Sequence, residues 1–195
     1  MTHRQWYEIT DLSTDIMDPY SADCHYERIL EDQGVIREDF MLDVYYKHGS
    51  DSIRGSLSYR HGQCDGIVVY VTTRGRDVVQ EEPLVEELID NNYAVAAFDP
   101  VEDFSRQVVN IFRVVSFAGL RRDLGTDAIY VWAEGSLAKA ALAEALGDPR
   151  IRGLMLEEYD RGDEWSKALQ AYGSRPLLKT SSASEAILWL KEVKE

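Results

Sequence analysis

Two hydrophobic patterns divide this 195-residue chain. From residue 24 to 60, apolar and polar positions alternate. Cys24 to Glu31 alternates. Asp39 to Lys47 sets Phe40, Leu42, Val44 and Tyr46 on one face and Met41 and Tyr45 on the other, and Ser52 to Arg60 alternates through Ile53, Leu57 and Tyr59. A period of two is that of strands with one face buried. The joining segments Asp32-Gln33-Gly34 and His48-Gly49-Ser50-Asp51 are turn formers. About three antiparallel strands are predicted here.

From Gly66 the pattern changes to short apolar runs separated by helical spacings. Ile67 to Val71, Tyr93 to Phe98, Ala128 to Trp132 and Ile151 to Leu156 read as strands buried on both faces, and Pro176 to Lys179 as a last one. Between them, Leu84, Val85, Leu88 and Ile89 repeat at helical spacing after Pro83, a residue suited to a helix start. Phe104, Val108, Ile111, Phe112 and Val115 define the next helix, and the alanine-rich run Leu137 to Leu146 another, closed by Gly147. A short helix is predicted around Glu164 to Tyr172 and a last one over Ser184 to Val193. Strands alternating with helices imply a mostly parallel sheet with helices on both faces. The predicted fold class is therefore α/β, preceded by about three antiparallel strands. Residues 1–22 are polar and turn-rich and read as an N-terminal arm packed by Trp6 and Tyr7; residues 23–195 form a single domain.

Composition narrows the function classes. A net charge of −14 argues against nucleic acid as a partner, because phosphate binding needs clustered Lys and Arg. It leaves open a solvated acidic surface or an acidic face that docks a basic protein. No run of eighteen apolar residues predicts a membrane span, and no apolar leader follows Met1. Cys24 and Cys64 are read as two free buried thiols, a bridge between them being the alternative. A soluble, cytoplasmic protein is expected. Cys24-His25 and Cys64 with His61 lack the paired spacing of a zinc site, and no phosphate-binding glycine motif occurs, so no metal and no cofactor is expected.

The segment Trp132-Ala133-Glu134-Gly135-Ser136-Leu137-Ala138 lies where a strand should turn sharply into a helix near Ser136. Ala133 to Leu137 overlays the G-x-S-x-G turn of a nucleophile elbow, followed by a small-residue helix, Ala138 to Leu142. With Tyr93 to Pro100 and the strand-like Arg150 to Leu156, this order resembles the α/β-hydrolase superfamily over roughly residues 24–195, without a lid. The resemblance implies a serine nucleophile at position 135, a downstream acid and a downstream histidine. Here position 135 is glycine, and the framing glycines are Ala133 and Leu137. The oxyanion segment reads Thr72-Thr73-Arg74-Gly75, the acid and histidine loops are missing, and His3, His25, His48 and His61 all precede the turn. A leucine at 137 suggests a relaxed turn. The chain reads as a truncated, degenerate member lacking the Ser/Asp/His triad.

Two residues near the turn remain as catalytic candidates. Ser136 is read as a helix N-cap, with a rearranged Ser136–histidine pair as the alternative. Glu134 is read as a surface glutamate beside a helix start, with a polar role as the alternative. His48-Gly49 and His61-Gly62 are read as hairpin turns. Ligands of open α/β sheets bind at the carboxyl ends of the strands. Those ends supply a possible crevice of Thr73, Arg74, Arg76, Asp99, Glu134, Ser136, Glu157 and Tyr159, in which the arginines and carboxylates could instead pair with one another. The leading expectation is a non-catalytic α/β-hydrolase-like protein that binds a protein partner or self-associates. The alternative is a small serine esterase or acyl hydrolase with a rearranged site around Ser136.

Overall fold

The computed structural model describes residues 24–46, 49–79, 81–157, 169–170, 172–180 and 182–194. The alternating segments form β1 (Cys24–Asp32), β2 (Val35–Tyr46) and β3 (Gly49–Arg60). Gln33 and Gly34 both adopt positive φ, 49° and 77°, the conformation of a two-residue hairpin turn whose twist matches that of the strands it joins. With the turn that tight, β2 starts four residues before the hydrophobic alternation does. Its first residues, Val35 to Glu38, pair with Arg60 to Leu57.

The parallel half contains β4 (Gly66–Val71), α1 (Gly75–Val79), α2 (Pro83–Asp90), β5 (Tyr93–Phe98) and α3 (Phe104–Leu120). It continues through β6 (Ile129–Glu134), a 3₁₀ turn (Gly135–Leu137), α4 (Ala138–Gly147), β7 (Ile151–Glu157), β8 (Leu177–Lys179) and α5 (Ala183–Lys194). All eight strands lie in one sheet of order β1-β2-β3-β5-β4-β6-β7-β8. β3 joins β5 antiparallel, while β5, β4, β6, β7 and β8 run parallel. The antiparallel opening is thus an extension of the same sheet. Of the predicted short helix at 164–172, residues 169, 170 and 172 are helical and the rest lies outside the described residues, as do the 1–22 arm, Trp6 and Tyr7.

The continuous apolar runs follow from burial on both faces. Along β4, β5 and β6, alternate side chains enter two cores. Ile67, Val69, Val71, Ala94, Ala96 and Val131 pack under α3 and α4. Val68, Tyr70, Tyr93, Val95, Tyr130 and Trp132 pack under α2 and α5. The alanines of α4 are buried along nearly its whole length, so this helix lies close against its neighbours. At Gly55 a side chain would collide with the Phe40 ring and the Ala97 carbonyl, which explains a glycine inside a strand. Both cysteines are free thiols; Cys64 is buried, as expected, but Cys24 is only partly so. No described helix is long and apolar enough to cross a membrane.

Candidate functional site

The parallel strands deliver their last residues to one rim of the sheet. β6 extends two residues further than its hydrophobic run, so its final residue is Glu134. Gly135 then turns the chain at φ +56°, a left-handed conformation that glycine adopts without a Cβ clash. The turn is therefore tight, where Leu137 had suggested a relaxed one. Leu137 fits because its side chain is buried in the core under α3 and α4. Above Gly135 the space is open, with no atom within 4 Å of where a Cβ would stand.

Ser136 does not cap the helix. It lies exposed within the 3₁₀ turn, and the cap positions are Glu134 and Leu137, neither of which caps through its side chain. The N-cap expectation fails because the 3₁₀ turn moves the helix start past the serine. The first backbone N–H groups of this helical segment consequently face the rim without a capping side chain, and such groups are donors for an anion.

Glu134 is more than a surface glutamate. Its side chain is 18% exposed and lies on the same sheet face as Trp132 and Tyr130, by the period of two. Thr72 Oγ1 donates to Glu134 Oε2 at 3.0 Å and Arg74 Nη2 to Oε1 at 2.8 Å, and the Tyr70 hydroxyl also donates to Oε1. Arg74 Nη2 contacts the Tyr70 hydroxyl at 2.9 Å, and its Nη1 pairs with Glu82. Burial pushes the Tyr70 hydroxyl strongly up, and Glu134 and Glu157 add to the shift. Glu157, the last residue of β7, stands in register beside Glu134. Two carboxylates, a phenol, a hydroxyl and a guanidinium thus meet at the ends of β4, β6 and β7.

Of the expected crevice, this cluster gathers Arg74, Glu134 and Glu157, with Ser136 two residues further along the chain. Thr73 points outward into solvent; Thr72 takes the interior position instead. Arg76 and Asp99 form a neighbouring group. The Arg76 backbone N–H donates to Asp99 Oδ1 at 3.2 Å, and the guanidinium lies 3.8 Å from both Asp99 and Glu27. Tyr159 lies outside the described residues. Tyr70 and Glu82 went unanticipated. Tyr70 read as core, although its place two residues before Thr72 puts it on the same face; Glu82 carried no sequence signal.

His25 and His61 each face a carboxylate, His25 with Asp43 at 3.5 Å and His61 with Glu31 at 3.1 Å. His61 follows the end of β3, at the opposite edge of the sheet from this rim. β1, which carries His25, is five strands from β6, roughly 24 Å at about 4.8 Å per strand. Neither is a base for Ser136. His3 and His48 lie outside the described residues.

No family model matches the chain, and no curated protein matches it by sequence. The fold does match solved structures. A glucuronoyl esterase from Solibacter usitatus superposes with a TM-score of 0.70 at 11% identity, over 98% of this chain and 79% of that one. An esterase from an Arctic intertidal metagenomic library, described as cold-adapted, gives 0.63 at 12%, over 80% and 74%. An acetyl xylan esterase from Paenibacillus sp. R4 gives 0.61 at 14%, over 97% and 67%. The chain therefore has an α/β-hydrolase-like fold. The expectation of a non-catalytic binding protein is corrected by this finding, since these structural neighbours are esterases. That expectation rested on Gly135, on the absence of a histidine after His61, and on the departures in the glycine frame, the oxyanion segment and the acid loop; the sheet and the left-handed turn at Gly135 are kept despite them.

Proposed function

We propose that the chain is a small ester hydrolase working at the elbow between β6 and α4. The observation that carries this reading is the elbow itself: a left-handed Gly135 under open space, followed by the exposed hydroxyl of Ser136, in a fold shared with esterases. Ser136 is the nucleophile and Glu134 the base. The Ser136 proton passes through one water to Glu134 as Oγ bonds to the ester carbonyl carbon. The carbonyl oxygen becomes an oxyanion held by the uncapped N–H groups at the helix start. The C–O bond to the alcohol then breaks, and the alcohol leaves with the proton from Glu134. Water hydrolyses the acyl-serine by the same route in reverse roles. Tyr70, Thr72 and Arg74 hold Glu134 in one orientation, so that the base is positioned before substrate arrives.

The test is hydrolysis of p-nitrophenyl acetate by the wild type, Ser136→Ala and Glu134→Gln. Measurable turnover is expected, reduced by about 100-fold or more in either variant, the range typical of a lost general base or nucleophile. No turnover above the buffer rate, or turnover unchanged in Ser136→Ala, would overturn the reading.

A further inference from the structure

A groove of about 710 Å³ runs beside α2, between that helix and the face of β2 and β3, with the β1–β2 turn at one end. It lies within the usual range for small-ligand sites and plays no part in the elbow chemistry, sharing only Glu82 with the Arg74 cluster. Its walls carry Asp32, Asp77, Glu81, Glu82, Glu86 and Asp90 against two guanidiniums, Arg37 and Arg60. Both arginines are already engaged, Arg37 with Asp77 at 2.9 Å and Arg60 with Asp90. Asp32, Glu81 and Glu86 make no ion pair among the described residues, so the groove keeps an excess of negative charge.

The charge is arranged along the groove. Asp77, Glu81 and Glu82 stand near the start of α2; Asp32 and Asp90 stand at its far end. From Pro83 to Asp90 the helix rises roughly 10 Å at about 1.5 Å per residue. Between the two ends lie the apolar side chains of Val35, Val85 and Ile89, with Glu86 on the helix between the last two. On the floor is Ser58, 5% exposed, whose hydroxyl makes no hydrogen bond to any described residue although its neighbours across the sheet are Arg37 and Val95. That hydroxyl lines the groove, so it is left to hydrogen-bond with whatever occupies it.

We infer that this groove binds a linear aliphatic polyamine: a cation at each end, methylenes against Val35, Val85 and Ile89, and an inner amine hydrogen-bonded to Ser58. A compact metal ion would leave the apolar middle unfilled, and an anion would meet an excess of carboxylates, since Arg37 and Arg60 are already paired.

The test is titration of spermidine into the full chain at ionic strength fixed with sodium chloride, followed by calorimetry and by amide NMR shifts. Saturable binding is expected, with shifts concentrated at Val35, Ser58 and Val85. The double variant Asp32→Asn with Glu86→Gln should bind about tenfold more weakly, whereas Glu102→Gln with Glu192→Gln, an equal charge change on other faces, should bind within about twofold of wild type. Hexylamine, cationic at one end only, should bind about tenfold more weakly than spermidine. Absent binding, equal losses in the two double variants, equal affinity for hexylamine, or shifts scattered over the acidic surface would each overturn the proposal. The wild-type shifts keep it testable if the groove variant fails to fold.

Discussion

Two glutamates bracket helix α4 in opposite circumstances. Glu134, just before it, receives hydrogen bonds from Tyr70, Thr72 and Arg74 and still reaches solvent. Glu144, near its end, is 0% exposed, and no donor among the described residues reaches either carboxyl oxygen. Burial, reinforced by Asp148 one turn on and opposed by Arg150, raises the Glu144 carboxyl well above its ordinary value, which favours the neutral acid. A third carboxylate, Glu38, shows what complete burial of a charge requires. Arg121 grips both of its oxygens and the Tyr59 hydroxyl donates at 2.7 Å, with Arg121 itself 9% exposed. A carboxylate with donors stays available for chemistry or for structure; one without donors gives up its charge.

The contrast between Glu38 and Glu144 can be broken at Arg121. Replacing Arg121 with Ala strands a buried carboxylate and should cost about 3–5 kcal/mol, the range for removing one member of a buried pair. Urea unfolding measures it. Replacing Glu38 with Gln in the same chain should recover a large part of that loss, and a double variant no more stable than Arg121→Ala would show that the charge of Glu38 was not the cause.

Glu144 should respond in the other direction. Exchanging it for Met, of similar length and without polar atoms to bury, should stabilise the fold by about 1–3 kcal/mol, the cost of a buried unsatisfied group. The pH dependence fixes the mechanism. In the unfolded chain Glu144 titrates near its ordinary value of 4.5, while in the fold the raised value keeps its proton on. Above that pH the unfolded state binds fewer protons than the native one, so the stability Glu144 contributes is full in acid and declines as pH rises from 4.5 toward the native value. Melting temperature against pH should therefore fall less steeply for Glu144→Gln than for wild type. Parallel curves would mean that Glu144 is ionised in the fold.

How far the sequence revealed all this differs between sheet and site. The period of two at Phe40, Leu42 and Val44 and the continuous runs of β4 to β7 made the order of elements legible, because burial on one face or two writes itself into local pattern. The tight turn at Gln33 and Gly34 was visible as a turn but not as one that extends β2 back to Val35. At the rim, local pattern failed. Ser136 looked like a cap because a serine before a helical run usually is, but the 3₁₀ turn at Gly135 displaced the helix start. Glu134 looked superficial because its donors Tyr70, Thr72 and Arg74 lie 64, 62 and 60 residues earlier in the chain and are brought to it by the pairing of β4 with β6. That pairing is a property of topology, and no window of sequence contains it. Gly135 as a missing side chain was legible; the open space that surrounds it was not.

The smallest effect separates the positioned glutamate from a merely hydrogen-bonded one. Thr72 is buried, donates to Glu134 at 3.0 Å, and accepts from the Arg74 backbone N–H at 3.2 Å. Thr72→Val keeps the side-chain shape and deletes these two bonds and a longer one from Arg74 Nε at 3.4 Å, so stability should fall by only about 0.5–1.5 kcal/mol. If Glu134 is the base at the elbow, the variant should also lose severalfold in kcat with KM nearly unchanged, because a carboxylate released from one of its three donors spends less time in the reactive orientation while substrate contacts persist. A purely structural Glu134 would give the same stability loss and leave kcat alone. Measuring both in one variant shows whether the donors around Glu134 serve the fold or the reaction, the distinction that Glu144, with no donors, lacks altogether.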